Sequence, residues 1–239
     1  MPPTFSPSMK WLKPPVFVLC LAPVAILLLQ AFHDQLRADS LLTALHLNPD
    51  LGANQIEKVT HTTGDWILIF LCITLAITPL RKILNQPWLI KFRRMFGLFA
   101  FFYASLHFLT YIWLDQFFDM SSILNDVAKR PFITAGFTGF VLLIPLALTS
   151  TAGWIRRLGG KRWQWLHRLI YISAIAGVVH YYWLVKSDVR LPLLYAAIVT
   201  LLLGFRAFVA IRNQRRQLAA DSAQPRAAFR PTEAAKDAE

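Results

Sequence analysis

The sequence predicts an all-α membrane protein, a bundle of six transmembrane helices with both termini in the cytoplasm. Hydrophobic residues make up 56% of the 239 residues and charged residues only 16%, with a mean hydropathy of +0.45, against about 45–50% and about 25% in globular domains. The apolar residues form continuous runs instead of alternating with a period of two, which argues against membrane strands. Most cations lie between these runs and on one side, the pattern of a multi-pass membrane protein.

Six apolar runs are near the roughly 20 residues that a helix needs to cross about 30 Å of hydrocarbon. The first follows Lys10 and Lys13; we expect it to remain as an anchor, because it continues too far for a signal peptide and has no small-residue cleavage site. The second and fourth are short, which local thinning of the bilayer accommodates. Residues 121–130 predict a short amphipathic surface helix between spans three and four. The predicted spans are 15–32, 64–80, 96–118, 135–151, 165–185 and 191–211.

The charges between the spans orient the bundle. One side is formed by the two terminal segments, the inner end of span six, the link between spans two and three, and the link between spans four and five. It carries 19 of the 25 cations and four of the 13 acids, a net charge of +15. The opposite side carries six cations and nine acids, a net charge of −3. The positive-inside rule therefore places both termini in the cytoplasm. A net charge of +12 arranged in this way indicates a membrane protein and no nucleic-acid partner.

The chain is predicted to contain one membrane domain with short polar ends. Residues 1–14 form a cytoplasmic N-terminus, 15–211 the six-helix domain, and 212–239 a disordered cytoplasmic tail. The tail has no room for a nucleotide-binding domain, and no G-x-G-x-x-G motif occurs in the chain. Both cysteines, Cys20 and Cys72, lie in apolar runs, so we do not expect a disulfide framework.

Two histidines lie at the same predicted depth in the membrane. His107 follows Arg94 by 13 residues and His180 follows Arg168 by 12, each on a helix that runs outward. Both are therefore about 18–20 Å from the cytoplasmic boundary at 1.5 Å per residue. Ionisable groups inside a membrane usually face a bundle interior or a cavity, and neutral imidazole is a standard axial ligand of haem iron. The favoured interpretation is a haem held by this pair. The alternative is that each ring only forms a hydrogen bond with a neighbouring helix.

The remaining histidines and an arginine near the inner end of span six have less defined roles. His167, near the cytoplasmic boundary, is a candidate ligand of a second haem, although an ideal helix turns by about 220° over the 13 residues to the outer histidine; one haem and two haems both stay open. His61, at the outer end of span two, is a candidate ligand, propionate partner or docking residue. Arg206 either extends to the interface or pairs with a propionate. His33 and His46 fall in an outer loop, where solvated side chains are usual.

Four segments carry a resemblance to a known family. They are EKVTHTTGDW (57–66), ITPLRKILNQPWLIKFRRMFGLFAFFYASLHFLTY (77–111), LALTSTAGWIRRLGGKRWQWLHRLIYISAIAGVVHYYWLVKSD (146–188) and LLLGFR (201–206). Over nearly the whole chain, from Trp11 to about Arg216, the sequence resembles the MsrQ (YedZ) family of haem-containing membrane subunits, in the ferric-reductase-like transmembrane group. The resemblance implies that His107, His167 and His180 match the haem-binding histidines of that family.

The resemblance implies an electron-transfer subunit and not the catalytic subunit of an enzyme. Similarity to eukaryotic NADPH oxidases and metalloreductases covers the membrane core only, so electrons must come from another source. In the family, haem b passes electrons from the quinone pool, or from a cytoplasmic flavin reductase, across the bacterial inner membrane. The acceptor is MsrP, a periplasmic molybdopterin protein that reduces methionine sulfoxide in oxidised proteins. FMN is a further cofactor implied by the resemblance alone.

Two other functions stay open at this stage. A self-sufficient transmembrane reductase of metals or quinones would reduce ferric chelates without a partner protein. A proton-coupled transporter would use His107 and His180 as a proton relay, but the inverted repeats and Gly- or Pro-broken helices that are common in that class are not evident in the sequence. The colour of the purified protein separates haem binding from transport, because haem gives a Soret band.

Overall fold

The computed structural model describes residues 11–32, 39–48 and 51–223, and the regular structure within these ranges is helical. A 3₁₀ turn (Pro87–Leu89) precedes the fourth α-helix and a π-helical segment (Tyr111–Asp115) continues it. The chain divides into two compact units, residues 1–203 and 204–239. The α-helices of the described ranges are α1 (Lys13–Ala31), α2 (Asp39–Ala44), α3 (Gln55–Ile83), α4 (Ile90–Thr110), α5 (Met120–Lys129), α6 (Pro131–Leu148), α7 (Ala152–Leu158), α8 (Gly160–Leu166), α9 (Leu169–Leu184) and α10 (Arg190–Ala223).

Five helical segments in the described part of the chain are long and apolar enough to cross a membrane. They comprise α1, α3, α4 with its flanking turns, α6 and α10, and they correspond to predicted spans one to four and six. Predicted span five corresponds to α9, whose 16 residues extend about 24 Å. The beginning of that predicted span belongs to the separate helix α8, because the chain turns at His167 and Arg168. The protein is thus a helical membrane protein with five candidate spans.

Helix α10 continues beyond the predicted end of span six. The sequence predicts a disordered tail from residue 212, whereas α10 extends to Ala223. Residues 212–223 are rich in alanine, arginine and glutamine, which are good helix formers, so nothing in the local sequence ends the helix there. Residues 1–10 and 224–239 lie outside the described residues, as does His33.

Helices α3 and α4 form an antiparallel pair that packs through aromatic side chains. Phe70 of α3 is buried, and its ring stacks on three rings of α4 at centroid distances of 6.2 Å to Phe96, 5.6 Å to Phe99 and 5.4 Å to Tyr103. Each such ring pair contributes about 0.5–1.5 kcal/mol beyond the buried area. The phenylalanine-rich third span therefore serves to hold these two helices together.

Helices α6 and α9 form a second antiparallel pair that packs through small residues. Ser173 Oγ donates a hydrogen bond to the Gly139 carbonyl oxygen at 2.8 Å. A Cβ on Gly139 would be 3.5 Å from the Cβ of Ala176, so the two backbones approach closely. Membrane helices often pack in this way, since small side chains permit close contact and a hydroxyl can bond across the interface. The second pair contacts the first where Gly177 of α9 faces Leu68 of α3.

A tyrosine of α4 completes the hydrogen bonding of α1. Pro23 lies inside α1 and has no N–H, so the helical ladder is interrupted at this point. The fully buried Tyr103 hydroxyl donates to the Cys20 carbonyl at 2.9 Å and accepts from the Val24 amide at 3.3 Å. This links α1 to α4 in a region where unpaired backbone groups are costly. Cys20 and Cys72 are both free thiols, as the sequence predicts.

The predicted surface helix between spans three and four is confirmed as α5. Asp119 caps its N-terminus by accepting hydrogen bonds from the amides of Ser121 and Ser122 at 3.0 and 3.4 Å. Hydrogen bonds from Ser122 and Ser121 lower the pKa of the Asp119 carboxyl. One face of α5 buries Ile123 while Leu124 on another face is exposed. Helix α5 therefore covers the end of the bundle at which α4 ends and α6 begins.

Removal of the Tyr103 hydroxyl should destabilise the bundle. In Tyr103→Phe the Cys20 carbonyl and the Val24 amide lose the hydroxyl that links α1 to α4, and a typical intramolecular hydrogen bond contributes about 0.5–1.5 kcal/mol. We expect the free energy of unfolding, measured in mixed detergent micelles by SDS titration, to fall by that amount. Tyr182→Phe is the matched control, because Tyr182 is 46% exposed. Equal losses in the two variants would show that the Tyr103 hydroxyl has no special role.

Candidate functional site

Two histidines from different helix pairs meet near one end of the bundle. His107 lies in the last turn of α4, and His180 lies four residues before the end of α9. Their ring centroids are 6.2 Å apart, and the ring planes are nearly perpendicular, at 85°. The structure thus brings together the two residues for which the sequence predicts equal depth.

Backbone carbonyls of neighbouring helices orient both rings. His107 Nδ1 lies 3.0 Å from the Thr60 carbonyl oxygen of α3 and 3.3 Å from Thr63 Oγ1. His180 Nδ1 lies 2.6 Å from the Phe132 carbonyl oxygen of α6. Because a carbonyl oxygen can only accept, each Nδ1 carries the proton and donates it. Each Nε2 is then the nitrogen with a lone pair, which is the usual arrangement in histidines that ligate metals.

A glycine one helical turn beyond each carbonyl makes room for the ring. Gly64 and Gly136 each follow the accepting residue by four positions, so each lies on the same helix face as the carbonyl. A Cβ on Gly136 would be 2.8 Å from Nδ1 of His180, and a Cβ on Gly64 would be 3.3 Å from Cε1 of His107. The same arrangement, a carbonyl and a glycine four residues apart, therefore positions both imidazoles.

The two rings line a cavity of about 380 Å³, which lies within the roughly 300–1,000 Å³ that is usual for ligand sites. Its walls come from α3, α4, α6 and α9, and α5 covers it with Ile123 and Val127. Most of the lining side chains are aliphatic or aromatic. Charged or titratable side chains other than tyrosine and the histidine pair are confined to the end near α5: they are His61, Asp65, Asp115 and Arg130. Such a cavity suits a largely apolar ligand with a polar edge.

The other predicted site residues lie apart from the histidine pair or at the edge of its cavity. His61 is exposed and lines the cavity. His167 does not line it: its ring packs on Trp163 at a centroid distance of 3.9 Å, and its Nε2 lies 3.1 Å from Thr149 Oγ1. Arg206 lies in the unit formed by residues 204–239. The structure therefore brings His107, His180 and His61 to one cavity, and His167 is not part of it.

A metal at the histidine pair would receive two ligands from the protein. Within residues 11–32, 39–48 and 51–223 no group of three or more His, Cys, Asp or Glu side chains could hold a metal ion. An imidazole nitrogen binds a first-row metal at about 2.0–2.1 Å, so two such rings on opposite sides of one metal have centroids about 6 Å apart. The observed 6.2 Å between His107 and His180 agrees with that distance. The pair suits a metal whose other ligands belong to its own cofactor.

Comparison with known proteins decides the family. The model of the ferric reductase like transmembrane component matches residues 63–178. A protein-methionine-sulfoxide reductase heme-binding subunit MsrQ from Herminiimonas arsenicoxydans is 52% identical over 210 residues, which are 86% of this chain and 89% of the relative. The chain belongs to the MsrQ family. MsrQ proteins of Azospira oryzae and Polaromonas naphthalenivorans are 54% and 46% identical, over 72% and 90% of this chain and 77% and 94% of theirs.

Membership in the MsrQ family confirms the resemblance predicted from the four segments. The segment matched by the ferric-reductase-like model, 63–178, includes His107 and His167 and ends two residues before His180. The cavity between α3, α4, α6 and α9 therefore lies mostly within the part of the chain that defines this transmembrane group.

Sequence reasoning missed the residues that position the histidines in this MsrQ-family chain. Gly64, Gly136 and Arg130 were not recognised as site residues, and backbone carbonyls have no sequence signature of their own. The glycines did offer a signal, because glycine inside a helix costs up to about 1 kcal/mol relative to alanine and so often marks a close approach. The helix that approaches each glycine is a property of the tertiary structure.

Replacement of Gly136 by alanine should destabilise the α6–α9 pair. The new Cβ would be 2.8 Å from Nδ1 of His180, and overpacking of this kind costs about 1–3 kcal/mol of unfolding free energy. Gly64→Ala should cost less, since its Cβ would be 3.3 Å from the ring of His107. Gly204→Ala is the control, because a Cβ there meets no atom within 4 Å.

A double-mutant cycle tests whether contact with the His180 ring causes the loss of unfolding free energy in Gly136→Ala. In a His180→Ala background, Gly136→Ala should lose most of its destabilising effect, because the clashing ring is gone. Unfolding of all four proteins of this cycle in the same detergent gives the coupling energy between the two positions. A cost that persists unchanged without the His180 ring would contradict the proposed packing.

Proposed function

We propose that this protein is a haem-binding electron-transfer subunit of a methionine sulfoxide reductase system. The main evidence is the pair of imidazoles of His107 and His180. Their ring centroids are 6.2 Å apart, and the Nδ1 of each ring donates to a backbone carbonyl. Relatives that share about half of the sequence are named heme-binding subunits of protein-methionine-sulfoxide reductase. The haem is of type b in this proposal, with one imidazole on each side of the iron.

The residues of the cavity fit such a group. The Nε2 lone pairs of His107 and His180 would hold the iron, and the porphyrin would supply its remaining ligands, which agrees with the two-ligand set that the chain offers. Aliphatic and aromatic side chains such as Leu68, Phe108 and Phe140 line the cavity and suit the apolar porphyrin faces. Among the polar side chains of the lining, Arg130 and His61 suit the carboxylate edge.

The protein's own residues control the environment of the bound group. Haem supplies one-electron redox chemistry at its iron. The Thr60 and Phe132 carbonyls hold the imidazoles in one orientation and in the Nδ1–H tautomer. This makes the lone pair of each Nε2 a better ligand for a metal. The apolar lining and the α5 cover reduce contact with water, and such burial is one determinant of a haem potential.

The direction of electron transfer follows from a six-span topology, which is part of the proposal. Helix α9 is the fifth crossing, since a span of about 24 Å can be accommodated by local thinning of the bilayer. The charges of +15 and −3 on the two sides support cytoplasmic termini in a bacterial inner membrane. The cavity then lies toward the periplasmic side, and electrons leave the protein there.

The donor and acceptor in this proposal are those of the MsrQ family. Electrons enter from the quinone pool or from a cytoplasmic flavin reductase, because the chain carries no dinucleotide-binding motif of its own. They leave to MsrP, the periplasmic molybdopterin subunit that would reduce methionine sulfoxide. FMN as a further cofactor rests on the family resemblance alone.

A second haem at His167 is a separate proposal. Thr149 Oγ1 donates its proton to the Pro145 carbonyl at 2.6 Å, so it accepts from His167 Nε2 at 3.1 Å. Nδ1 of His167 is then the nitrogen available to iron. Arg206, near the inner end of predicted span six, stays a candidate propionate partner.

Substitution of the paired histidines tests the haem proposal. His107→Ala and His180→Ala should each abolish the main haem signal, seen as loss of the Soret band and of the reduced α and β bands in the purified protein. The exposed His46 is the control position, and His46→Ala should keep full haem content. A protein that retains stoichiometric haem after loss of either paired ring would contradict the proposed axial ligation. If His167→Ala leaves the haem content unchanged, the second haem is excluded.

Accessibility of single cysteines tests the topology. In a background in which Cys20 and Cys72 are replaced by serine, a cysteine at Ser121 or Ser187 should react with a membrane-impermeant maleimide added to intact spheroplasts. A cysteine at Gln217 should react only after the membrane is opened. Labelling of both position 121 and position 217 in intact spheroplasts would show an even number of crossings between them and would remove α9 as a span.

A further inference from the structure

An arginine lies at the polar end of the histidine cavity. Arg130 is the only lysine or arginine among the described residues that line this cavity. Its neighbours in the lining include two carboxylates, Asp65 and Asp115. A cation at this position is therefore the natural partner for an anionic edge of any ligand that fills the cavity.

A carboxylate held from several sides positions the Arg130 side chain. Asp126 Oδ1 forms an ion pair with Arg130 Nε at 3.1 Å. Asp126 Oδ2 accepts from the Tyr111 hydroxyl at 3.0 Å and lies 3.4 Å from Gln116 Nε2. The Asp126 side chain is only 16% exposed, whereas that of Arg130 is 55% exposed. Because this ion pair is made through Nε, the two Nη nitrogens can bind a second carboxylate as a fork.

Hydrogen bonds also hold the backbone of Arg130 in place. The Arg130 amide donates to the Asp126 carbonyl at 2.9 Å, and its own carbonyl accepts from the Ile133 and Thr134 amides. The residue thus ends α5 and begins α6. Phe132, whose carbonyl orients the His180 ring, lies only two residues further along. One short segment therefore carries both the acceptor for an axial ligand and the cation at the cavity edge.

We propose that Arg130 binds a propionate carboxylate of the haem, with Asp126 as the residue that positions its guanidinium. This inference rests on the proposed haem between His107 and His180. It assigns to Arg130 the role for which the sequence offered His61 and Arg206. A guanidinium forms bidentate, charge-assisted hydrogen bonds with a carboxylate, and a lysine ammonium does not reproduce that geometry.

The same contact should adjust the redox potential. Reduction of the haem adds a negative charge in a low-dielectric cavity, and a nearby cation favours the reduced form. Loss of the Arg130 charge would leave its ion-pair partner Asp126 without this neighbour, and that carboxylate disfavours reduction. Arg130 therefore holds the haem and raises its midpoint potential.

The test compares Arg130→Gln, Arg130→Lys and Arg190→Gln in the full-length, haem-loaded protein. Arg190 is the matched control: its side chain is 93% exposed, and it lies 4.0 Å from Asp188. Two quantities are measured for each variant, the rate of haem transfer to excess apomyoglobin and the midpoint potential from spectroelectrochemical titration of the α band. Thermal unfolding of each variant is recorded in parallel.

We expect Arg130→Gln to lose haem at least ten times faster than the wild type and to have a lower midpoint potential. Arg130→Lys should recover most of the potential but less of the haem retention, because it keeps the charge and not the fork. Arg190→Gln should match the wild type in both. Unchanged haem transfer and potential in Arg130→Gln overturn the inference, even if the unfolding temperature falls. A wild-type protein without haem would instead overturn the proposed function.

Discussion

Each imidazole N–H inside an apolar bundle needs an acceptor, and the available acceptors are helix carbonyls. In this protein the Thr60 and Phe132 carbonyls accept from His107 and His180. A helical carbonyl already accepts one hydrogen bond from the amide four residues later, so a ring can reach its second lone pair only where the neighbouring side chain is small. Glycine at the position four residues later, Gly64 or Gly136, satisfies that condition. The positions of both rings, and hence of the cavity, depend on this constraint.

The bundle is organised so that each helix pair carries and orients one histidine. Helix α4 bears His107 and α3 supplies its acceptor, while α9 bears His180 and α6 supplies its acceptor. Aromatic stacking fixes the first pair and small-residue contact fixes the second. The cavity forms where the two pairs meet, so its dimensions follow from two independent packing interfaces. This division explains how two histidines separated by 73 positions in the sequence come within 6.2 Å of each other.

The polar groups of the cavity lie at one end, and the order of the helices explains this. Helices α3 and α6 begin there and α4 and α9 end there, so loops and helix termini, which carry charged residues, meet at the α5 side. The π-helical segment Tyr111–Asp115 extends α4 far enough for Tyr111 to reach Asp126. π-Helical segments are frequent at functional sites, and here one connects the helix of His107 to the carboxylate that pairs with Arg130.

Composition, hydropathy and charge pattern were sufficient for the helical membrane fold, five of its spans and the surface helix α5, because the length of an apolar run and the position of cations are local properties. The extension of α10 to Ala223 was accessible from helix propensity, since residues 212–223 are rich in good helix formers. The separation of α8 from α9 at His167 was not predicted. The depth of His107 and His180 also followed from counting along two helices. Counting residues did not show which faces of α4 and α9 point toward each other.

The sequence by itself determined the family, the class of fold and the two histidines that belong at one depth. Only the tertiary structure decided that the rings meet at 6.2 Å, that Thr60 and Phe132 orient them, and that Arg130 lies at the edge of the same cavity. The reason is physical. A segment that is buried in a membrane has a strongly apolar composition, which the sequence shows directly. A contact between helices depends on the rotation of each helix about its own axis, and packing against residues far away in the chain fixes that rotation.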